Sequence, residues 1–286
     1  MTALDRRLNA FRPDLGDVRL RGQIETENLV EGRPMRVIAP IADLRKQPRP
    51  DSGIDTQLIY GDDVLMFEDA EGWCWVQNER DGYVGYVTDT ALDERAAAPT
   101  HRVTAPRTFV YPGPDLKFPV IKALSMGSLL SVTGWEERRG TQYAVLSSGE
   151  AVVARHIAPI DDRATDFVAV AESLINTPYL WGGVSGFGID CSGLVQLSLL
   201  MAGKNVLRDS DMQAQSIGNL IETDASYDRL QRGDLVFWNG HAAMMADDRM
   251  LLHASGYTMS VTLEPLTQAI ERIMPFYGLP TCVRRI

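Results

Sequence analysis

The sequence is poor in cysteine, in histidine and in long apolar runs. Its 286 residues include 3 cysteines and 4 histidines, and 28 Lys+Arg against 38 Asp+Glu give a formal net charge of −10. Three scattered cysteines are too few for a disulfide framework, and no run of about 18 apolar residues is available to span a membrane. An acidic chain without a Lys/Arg cluster argues against nucleic acid or an anionic membrane as a partner.

The N-terminal segment lacks the apolar core of a secretory signal. Residues 1–10 read Met-Thr-Ala-Leu-Asp-Arg-Arg-Leu-Asn-Ala, and together with the few cysteines this predicts a reducing, cytoplasmic setting. Hydrophobic residues make up 45% and charged residues 23%, which is typical of a folded globular protein. At this length we expect two or three domains.

Short strands separated by turns dominate residues 36–95. Aromatic and β-branched runs such as Val64–Phe67 and Tyr83–Val87 alternate with turns rich in Gly, Asp and Asn. This pattern is typical of a small all-β barrel or sandwich. Residues 1–35 are polar and charged, and we expect them to form an N-terminal extension that packs on the barrel.

A similar pattern returns after a linker at Ala96–Pro99 and fills residues 100–160. Gly61-Asp62 aligns with Gly127-Ser128, 66 residues later, and a strand and a Gly-Trp pair follow each in similar order. This similarity predicts an internal duplication. A chance match between two β-rich stretches is the alternative.

The pattern changes after Asp161-Asp162. Residues 165–176 fit a helix that ends before Pro178, and strands return from Leu230 onward. Helices combined with antiparallel strands are typical of an α+β domain, which we place at residues 164–286.

Cys191 stands at the expected start of a buried helix. A glycine-rich segment precedes it. The run Leu194–Gly203 is apolar on almost every face of the expected helix and ends in a glycine. At a helix N-terminus the macrodipole and unpaired backbone N–H groups favour the thiolate, which is the nucleophilic form. Cys191 is therefore a candidate nucleophile, and the alternative is a small buried apolar residue.

His241 and His253 lie on a predicted hairpin that turns at residues 247–249. A three-residue loop places both histidines on one face of the sheet, as diagonal neighbours ~7–8 Å apart. An even-numbered loop places them on opposite faces. On one face, His241 is the candidate base for Cys191 and His253 its orienting partner. Two ordinary strand histidines are the alternative.

The other two histidines are expected to be structural, and a metal site is the alternative use of Cys191, His241 and His253. His101 falls in the linker and His156 at the end of the second β module, where a structural role is expected. A Cys/His/His set also suits zinc. Because a structural zinc site takes four ligands and no CxxC or HxxxH spacing supplies the fourth, we expect no metal and no other cofactor.

Four ordered motifs carry the strongest signal in the C-terminal region. They are Pro178–Gly183, Asp190–Gln196, Arg232–Phe237 and Leu252–Ser255. With His241 placed 50 residues after Cys191 and 12 residues before His253, the set resembles the NlpC/P60 cysteine peptidases over residues 164–286. The two β modules are similar to the bacterial SH3 domains that often precede such a domain. The resemblance implies an α+β, papain-like NlpC/P60 catalytic domain behind two small all-β SH3-like barrels.

The resemblance also implies an activity. Similar proteins are γ-D-glutamyl-L-diamino-acid endopeptidases. The expected substrate and partner is therefore a murein peptide with a free N-terminal L-Ala and with diaminopimelate or Lys as its third residue. In the implied mechanism Cys191 attacks the γ-D-glutamyl carbonyl, His241 takes and later returns a proton, and His253 holds the imidazolium. The expected role is peptide recycling in the cytoplasm. A catalytically inert wall-binding protein and an acyltransferase or amidase on the same fold are the rival interpretations.

Two residues beside the nucleophile have roles implied by their motif positions. Tyr179 is expected to help stabilise the oxyanion, and core packing beside Trp181 is the alternative. Asp190 is expected to pair with the ammonium group of the substrate, to cap the Cys191 helix, or to do both.

Further substrate-binding positions lie elsewhere in the chain. Ser192, Asp209 and Ser210 match binding positions of the family. Tyr83, in the first β module, is expected to close the amine end of the cleft. Arg208 precedes Asp209, and we expect it to be exposed at the surface.

Overall fold

The computed structural model describes residues 4–223 and 227–286. The chain divides into two compact units, Met1–Asp162 and Arg163–Ile286. Every helix within the described ranges falls short of the length and hydrophobicity that crossing a membrane requires.

The first unit is built from strands joined by short turns. Three 3-10 turns, at Val18–Leu20, Asp89–Ala91 and Ala154–His156, connect some of them. The strands are β1 (Leu15–Asp17), β2 (Asn28–Val30), β3 (Arg33–Val37), β4 (Ile41–Arg45), β5 (Ile54–Ile59), β6 (Asp63–Ala70), β7 (Trp73–Asn78), β8 (Val84–Thr88), β9 (Leu92–Glu94), β10 (His101–Val103), β11 (Arg107–Tyr111), β12 (Lys122–Ser125), β13 (Leu129–Leu130), β14 (Val132–Arg138), β15 (Thr141–Leu146), β16 (Ala151–Val153) and β17 (Ile157–Pro159).

The strands of this unit form two modules and an N-terminal attachment. The first module is an antiparallel sheet in the order β5-β4-β8-β7-β6-β3-β9, and the second combines β12-β11-β16-β15-β14 with β13-β10-β17. Ala10 and Leu15, from the polar N-terminal segment, pack in one apolar cluster with Phe67 and Trp75. The N-terminal extension therefore packs on the first module, as its sequence predicts.

The two modules share one turn geometry at the positions that the sequence aligns. Gly61 and Gly127 have φ values of +90° and +89°, which glycine adopts without strain. The Gly61 N–H donates to the Val37 carbonyl, and the Gly127 N–H donates to the Val103 carbonyl. Donor and acceptor are both shifted by 66 residues between the modules, so the turn is repeated as the internal duplication predicts.

The second unit combines helices with an antiparallel sheet. Its main sheet has the strand order β20-β25-β21-β22-β23-β24. The elements are α1 (Phe167–Glu172), β18 (Val184–Ser185), β19 (Gly188–Ile189), α2 (Cys191–Met201), α3 (Ser210–Ser216), β20 (Asn219–Ile221), β21 (Leu235–Trp238), β22 (His241–Met245), β23 (Met250–Ser255), β24 (Ser260–Pro265), α4 (Leu266–Tyr277) and β25 (Cys282–Arg285).

Helix α2 is the buried helix that the apolar run predicts. Every one of its residues is buried, and it contacts β22 and β23. Helix α1 is shorter than the predicted span of 165–176. Asp166 caps its start, but the residues after Glu172 turn through tighter bonds of the 3-10 type, such as Thr177 N–H to the Leu174 carbonyl.

Candidate active site

Cys191 is the first residue of α2, and its sulfur faces the start of β22. The backbones of Ala242 and Ser192 lower the pKa of this thiol. Ala242 directly follows His241, and β22, which begins at His241, contacts α2. Cys191 is buried, with 7% of the residue exposed.

The surroundings of Cys191 and His241 favour the neutral form of both side chains. Burial raises the pKa of Cys191 to about 12, and the carboxylate of Asp190 raises it further, against the donors from Ala242 and Ser192. Burial also lowers the pKa of His241 to about 3, with the charges of His253 and Arg272 adding to this effect. Desolvation thus opposes the thiolate that the helix N-terminus favours. Both shifts favour a thiol and a neutral imidazole in the resting site.

The hairpin has the loop length that brings the two histidines together. Met244 pairs with Leu252, and the Ala246 N–H donates to the Met250 carbonyl. The loop is therefore Asp247–Arg249, which confirms the three-residue prediction. His241 and His253 share one face, with their ring centroids 5.0 Å apart.

A chain of hydrogen bonds runs from His241 to a carboxylate that the sequence analysis missed. Nε2 of His241 lies 2.8 Å from Nδ1 of His253, and Nε2 of His253 lies 2.7 Å from Oε1 of Glu264. Arg272 in turn forms an ion pair with Glu264. Because an ionised carboxylate only accepts, His253 donates through Nε2 and, when neutral, accepts through Nδ1. His241 then carries its proton on Nε2 and keeps the lone pair of Nδ1 for a proton from a thiol.

The charge of Glu264 is held in place by its two neighbours. Burial alone raises the pKa of Glu264, but the hydrogen bonds and charges of His253 and Arg272 outweigh it and hold the pKa below the ordinary value. The position of Glu264 beside His253 can be predicted only when the register between β23 and β24 is known. In that register His253 pairs with Thr262, so Glu264 is the diagonal neighbour of His253 on the same face.

Asp190 is fully engaged by the protein itself. One oxygen of its carboxylate accepts from the Gly193 N–H at 2.7 Å, from the Ser192 hydroxyl and from Arg208; the other accepts from the Gly182 N–H and again from Arg208 at 2.6 Å. These bonds occupy the roughly four acceptor sites of a carboxylate. Asp190 is thus the cap of α2, and its pairing with a substrate ammonium stays a prediction.

Arg208 is buried, in contrast to the expected surface position. It is 1% exposed, and its guanidinium contacts Asp190 through two nitrogens and Ser192 through one of them. Its burial cannot be predicted from the neighbouring sequence, because its partner Asp190 lies 18 residues away. A buried arginine is tolerated because its charge is paired and its donors are used.

Three predicted residues lie around this ion pair. Ser192 is 6% exposed, and its hydroxyl contacts both Asp190 and Arg208. Asp209 is the N-cap residue of α3 and Ser210 its first residue, and both are partly exposed. The N-termini of α2 and α3 thus meet next to Cys191.

The pKa of Tyr179 responds to its burial and to the nucleophile Cys191. Burial raises its pKa, and the charges of Cys191 and Asp190 raise it further. The phenol therefore remains protonated and can donate a hydrogen bond. The indole of Trp181, expected to pack beside Tyr179, is 71% exposed.

Tyr83, His101 and His156 belong to the first unit. Tyr83 is 5% exposed and packs in the apolar core of the first module, and its role at the amine end of the cleft stays a prediction. His101 contacts the Thr100 hydroxyl and His156 the Thr108 hydroxyl, in keeping with structural roles.

A cleft of about 350 Å³ opens on the His241 side of the site. We call it the aromatic cleft, because its walls include the exposed rings of Trp181, Tyr257, Phe276 and Tyr277 together with His241, His253 and Arg272. The guanidinium of Arg272 lies over the Tyr257 ring, 4.8 Å from its centroid.

Two family models match the chain. Residues 44–92 match a bacterial dipeptidyl-peptidase SH3 domain. Residues 176–272, which hold Cys191, His241 and His253, match the NlpC/P60 family. The chain therefore contains an NlpC/P60 domain, preceded by a bacterial SH3 domain. Its cysteine-peptidase domain and its N-terminal all-β SH3-like region confirm the predicted fold class, while the assignment of the second module as an SH3 domain stays a prediction.

Named relatives support the same assignment. Dipeptidyl-peptidase 6 of Lysinibacillus sphaericus is 29% identical, over 77% of this chain and 86% of the relative. A gamma-D-glutamyl-L-lysine dipeptidyl-peptidase of Bacillus subtilis is 25% identical, over 77% of this chain and 78% of the relative. The crystal structure of an NlpC/P60 family protein from Bacillus cereus has a TM-score of 0.72 at 22% identity and covers 88% of this chain and 99% of that one. This last likeness is one of fold.

Proposed function

We propose that this NlpC/P60 protein is a cysteine peptidase that hydrolyses the γ-D-glutamyl-L-diamino-acid bond of murein peptides and releases L-Ala-γ-D-Glu. The observation that carries the proposal is the hydrogen-bonded chain from His241 through His253 to Glu264, which begins on β22, a strand in contact with the Cys191 helix. Such a chain orients a base, and a structural pair of strand histidines has no need of it. The names of the relatives supply the substrate class.

The reaction begins from the neutral pair. Nδ1 of His241 takes the proton of the Cys191 thiol as the sulfur bonds to the γ-glutamyl carbonyl carbon, and the carbonyl oxygen becomes an oxyanion. In this proposal the Tyr179 hydroxyl donates a hydrogen bond to that oxyanion. The imidazolium then gives its proton to the leaving amine, the C–N bond breaks, and a thioester remains. A water molecule, deprotonated by His241, hydrolyses the thioester and restores the thiol.

The amine end of the substrate falls to Asp190 and Asp209 in this proposal. Asp190, whose carboxylate also accepts from Arg208 and from backbone donors, is proposed to share the ammonium group with Asp209. Asp209 is partly exposed at the start of α3, which is held next to α2 by the Gln213 side chain donating to the Ser192 carbonyl at 3.0 Å. Asp209 and Ser210 are therefore proposed to bind the free L-Ala amine together with Asp190.

The cellular setting proposed for this enzyme is the cytoplasm, where it recycles murein peptides. All three cysteines, Cys74, Cys191 and Cys282, are free, and free thiols are typical of a reducing compartment. The β modules are proposed to restrict access to short peptides with a free amine, with the second module acting as a second SH3-like barrel.

The decisive test is product analysis by mass spectrometry with L-Ala-γ-D-Glu-diaminopimelate as substrate. Wild type is expected to release L-Ala-γ-D-Glu, and Cys191→Ala to release none, with Cys282→Ala as the matched control that stays active. Cleavage by Cys191→Ala contradicts the mechanism. Binding of sacculi without hydrolysis by wild type favours the inert wall-binding protein, and transfer of the acyl group to an added amine favours the acyltransferase.

A further inference from the structure

The side of the site on which the aromatic cleft lies is fixed by the chemistry of His241. A general acid must come within about 2.6–3.2 Å of the nitrogen that it protonates. The residue that departs with that nitrogen therefore lies against His241, which lines the aromatic cleft. In the proposed function the acyl part of the substrate contacts Asp190 and Asp209, at the N-termini of α2 and α3.

Several large aromatic side chains in the walls of the cleft are exposed to solvent, which is unusual for a folded domain. Phe276, Tyr257 and Trp181 are 81%, 76% and 71% exposed. Large aromatic side chains grouped at the surface mark binding sites more often than chance, because their exposure to water has a free-energy cost that a ligand relieves. Rings of this kind suit the aliphatic chain of a long amino acid.

The charge that the cleft presents is positive. Of the described residues that line it, Arg272 is the one with a permanent charge. Its partner Glu264 is not among the lining residues, so the carboxylate lies behind the wall and the guanidinium in it. Nη2 of Arg272 pairs with Glu264, and a guanidinium has five N–H donors in all. Donors therefore remain for a second carboxylate, which a planar guanidinium binds well.

We propose that the aromatic cleft is the subsite for the leaving amino acid, and that Arg272 in it selects a residue with a side-chain carboxylate, diaminopimelate over lysine. The inference rests on the proposed function. Both side chains end in an ammonium group, but diaminopimelate adds a carboxylate that pairs with Arg272, whereas lysine meets like-charge repulsion without that compensation. The selection thus differs from the substrate that the name of the Bacillus subtilis relative gives for that protein.

The test compares kcat/KM for two matched peptides, L-Ala-γ-D-Glu-diaminopimelate and L-Ala-γ-D-Glu-L-Lys, each with a free and an amidated C-terminus. Wild type is expected to prefer the diaminopimelate peptide by about 10- to 100-fold, the range of a charged hydrogen bond. Arg272→Met is expected to bring the ratio of the two kcat/KM values close to one. Arg272→Lys is expected to retain part of the preference for the diaminopimelate peptide. Arg249→Met, which changes an exposed arginine of the hairpin turn, is the matched control and is expected to leave the ratio unchanged.

The ratio separates binding from catalysis. Arg272 also pairs with Glu264, so its variants lower the rate on both peptides, but a common loss cancels in the ratio. A ratio that Arg272→Met does not change overturns the proposal, as does a preference of wild type for the lysine peptide. If amidation abolishes the preference, Arg272 binds the C-terminal carboxylate and the side-chain selection is wrong. If wild type cleaves neither peptide, it is the proposed function that fails.

Discussion

Oε1 of Glu264 lies 2.7 Å from Nε2 of His253, and this contact determines which nitrogen of His241 is free to accept a proton. The carboxylate fixes the donor side of His253, and His253 fixes the donor side of His241. A neutral histidine as the third group stabilises an imidazolium less than a carboxylate does. Glu264 supplies the missing negative charge one step further from the sulfur.

Replacing Glu264 by glutamine tests this relationship. The amide oxygen still accepts from His253, but the negative charge that favours the His241 imidazolium is lost. We expect kcat to fall about 10- to 100-fold, corresponding to ~1.5–3 kcal/mol for a charged hydrogen bond, with KM within about twofold. Glu271→Gln, an exposed change on α4, is the control in the same steady-state assay. An unchanged kcat for Glu264→Gln, with the fold intact, rules out a role in positioning.

The raised pKa of Cys191 predicts slow alkylation of the resting enzyme. Because burial moves the thiol pKa upward to about 12, the thiolate fraction is small at pH 7 and grows about tenfold per pH unit while the pH stays below the pKa. The iodoacetamide labelling rate at Cys191, followed by peptide mass spectrometry, is expected to rise steadily up to pH 10 without a plateau. Cys191→Ser identifies the background from Cys282. A plateau below pH 8 indicates a thiolate at rest instead.

The buried pair of Arg208 and Asp190 predicts a strong loss of stability when one partner is removed. Arg208→Met leaves Asp190 charged and buried, and we expect the α2 region to lose about 3–5 kcal/mol. Hydrogen exchange of peptides from α2, measured on the full chain, reports this loss. The double variant Asp190→Asn with Arg208→Met is expected to be less destabilised than Arg208→Met alone, since asparagine still caps a helix. Equal losses in the single and double variants contradict the ion-pair explanation.

Asp209 is expected to determine the requirement for a free substrate amine. In wild type, N-acetylation of the L-Ala residue removes the positive charge and blocks cleavage. Asp209→Asn is expected to raise KM for the free-amine peptide about tenfold or more, and to narrow the difference between the free and acetylated peptides. Asp248→Asn, in the exposed hairpin turn, serves as the control. If Asp209→Asn discriminates against acetylation as strongly as wild type, the ammonium group binds elsewhere.

Local sequence patterns predicted the elements that carry the nucleophile and the base. The apolar run after Cys191 predicted α2, and the loop parity of the hairpin predicted that His241 and His253 share a face. Both depend on residues close together in the chain. Glu264 and Arg208 were missed or misplaced, because each owes its position to a partner on another element. The raised pKa of Cys191 has a related origin, since helix position is local but desolvation depends on everything packed around the sulfur.

The length of the loop at Asp247–Arg249, rather than its side chains, controls the geometry of the site. Surface turns usually tolerate the gain or loss of a residue, and nothing in this one touches Cys191. A single deletion there reverses the alternation of β23 relative to β22, so that the imidazole of His253 leaves the shared face and Glu264 loses its partner. The number of residues in this turn is therefore as restrictive for the enzyme as the identity of the histidines that it joins.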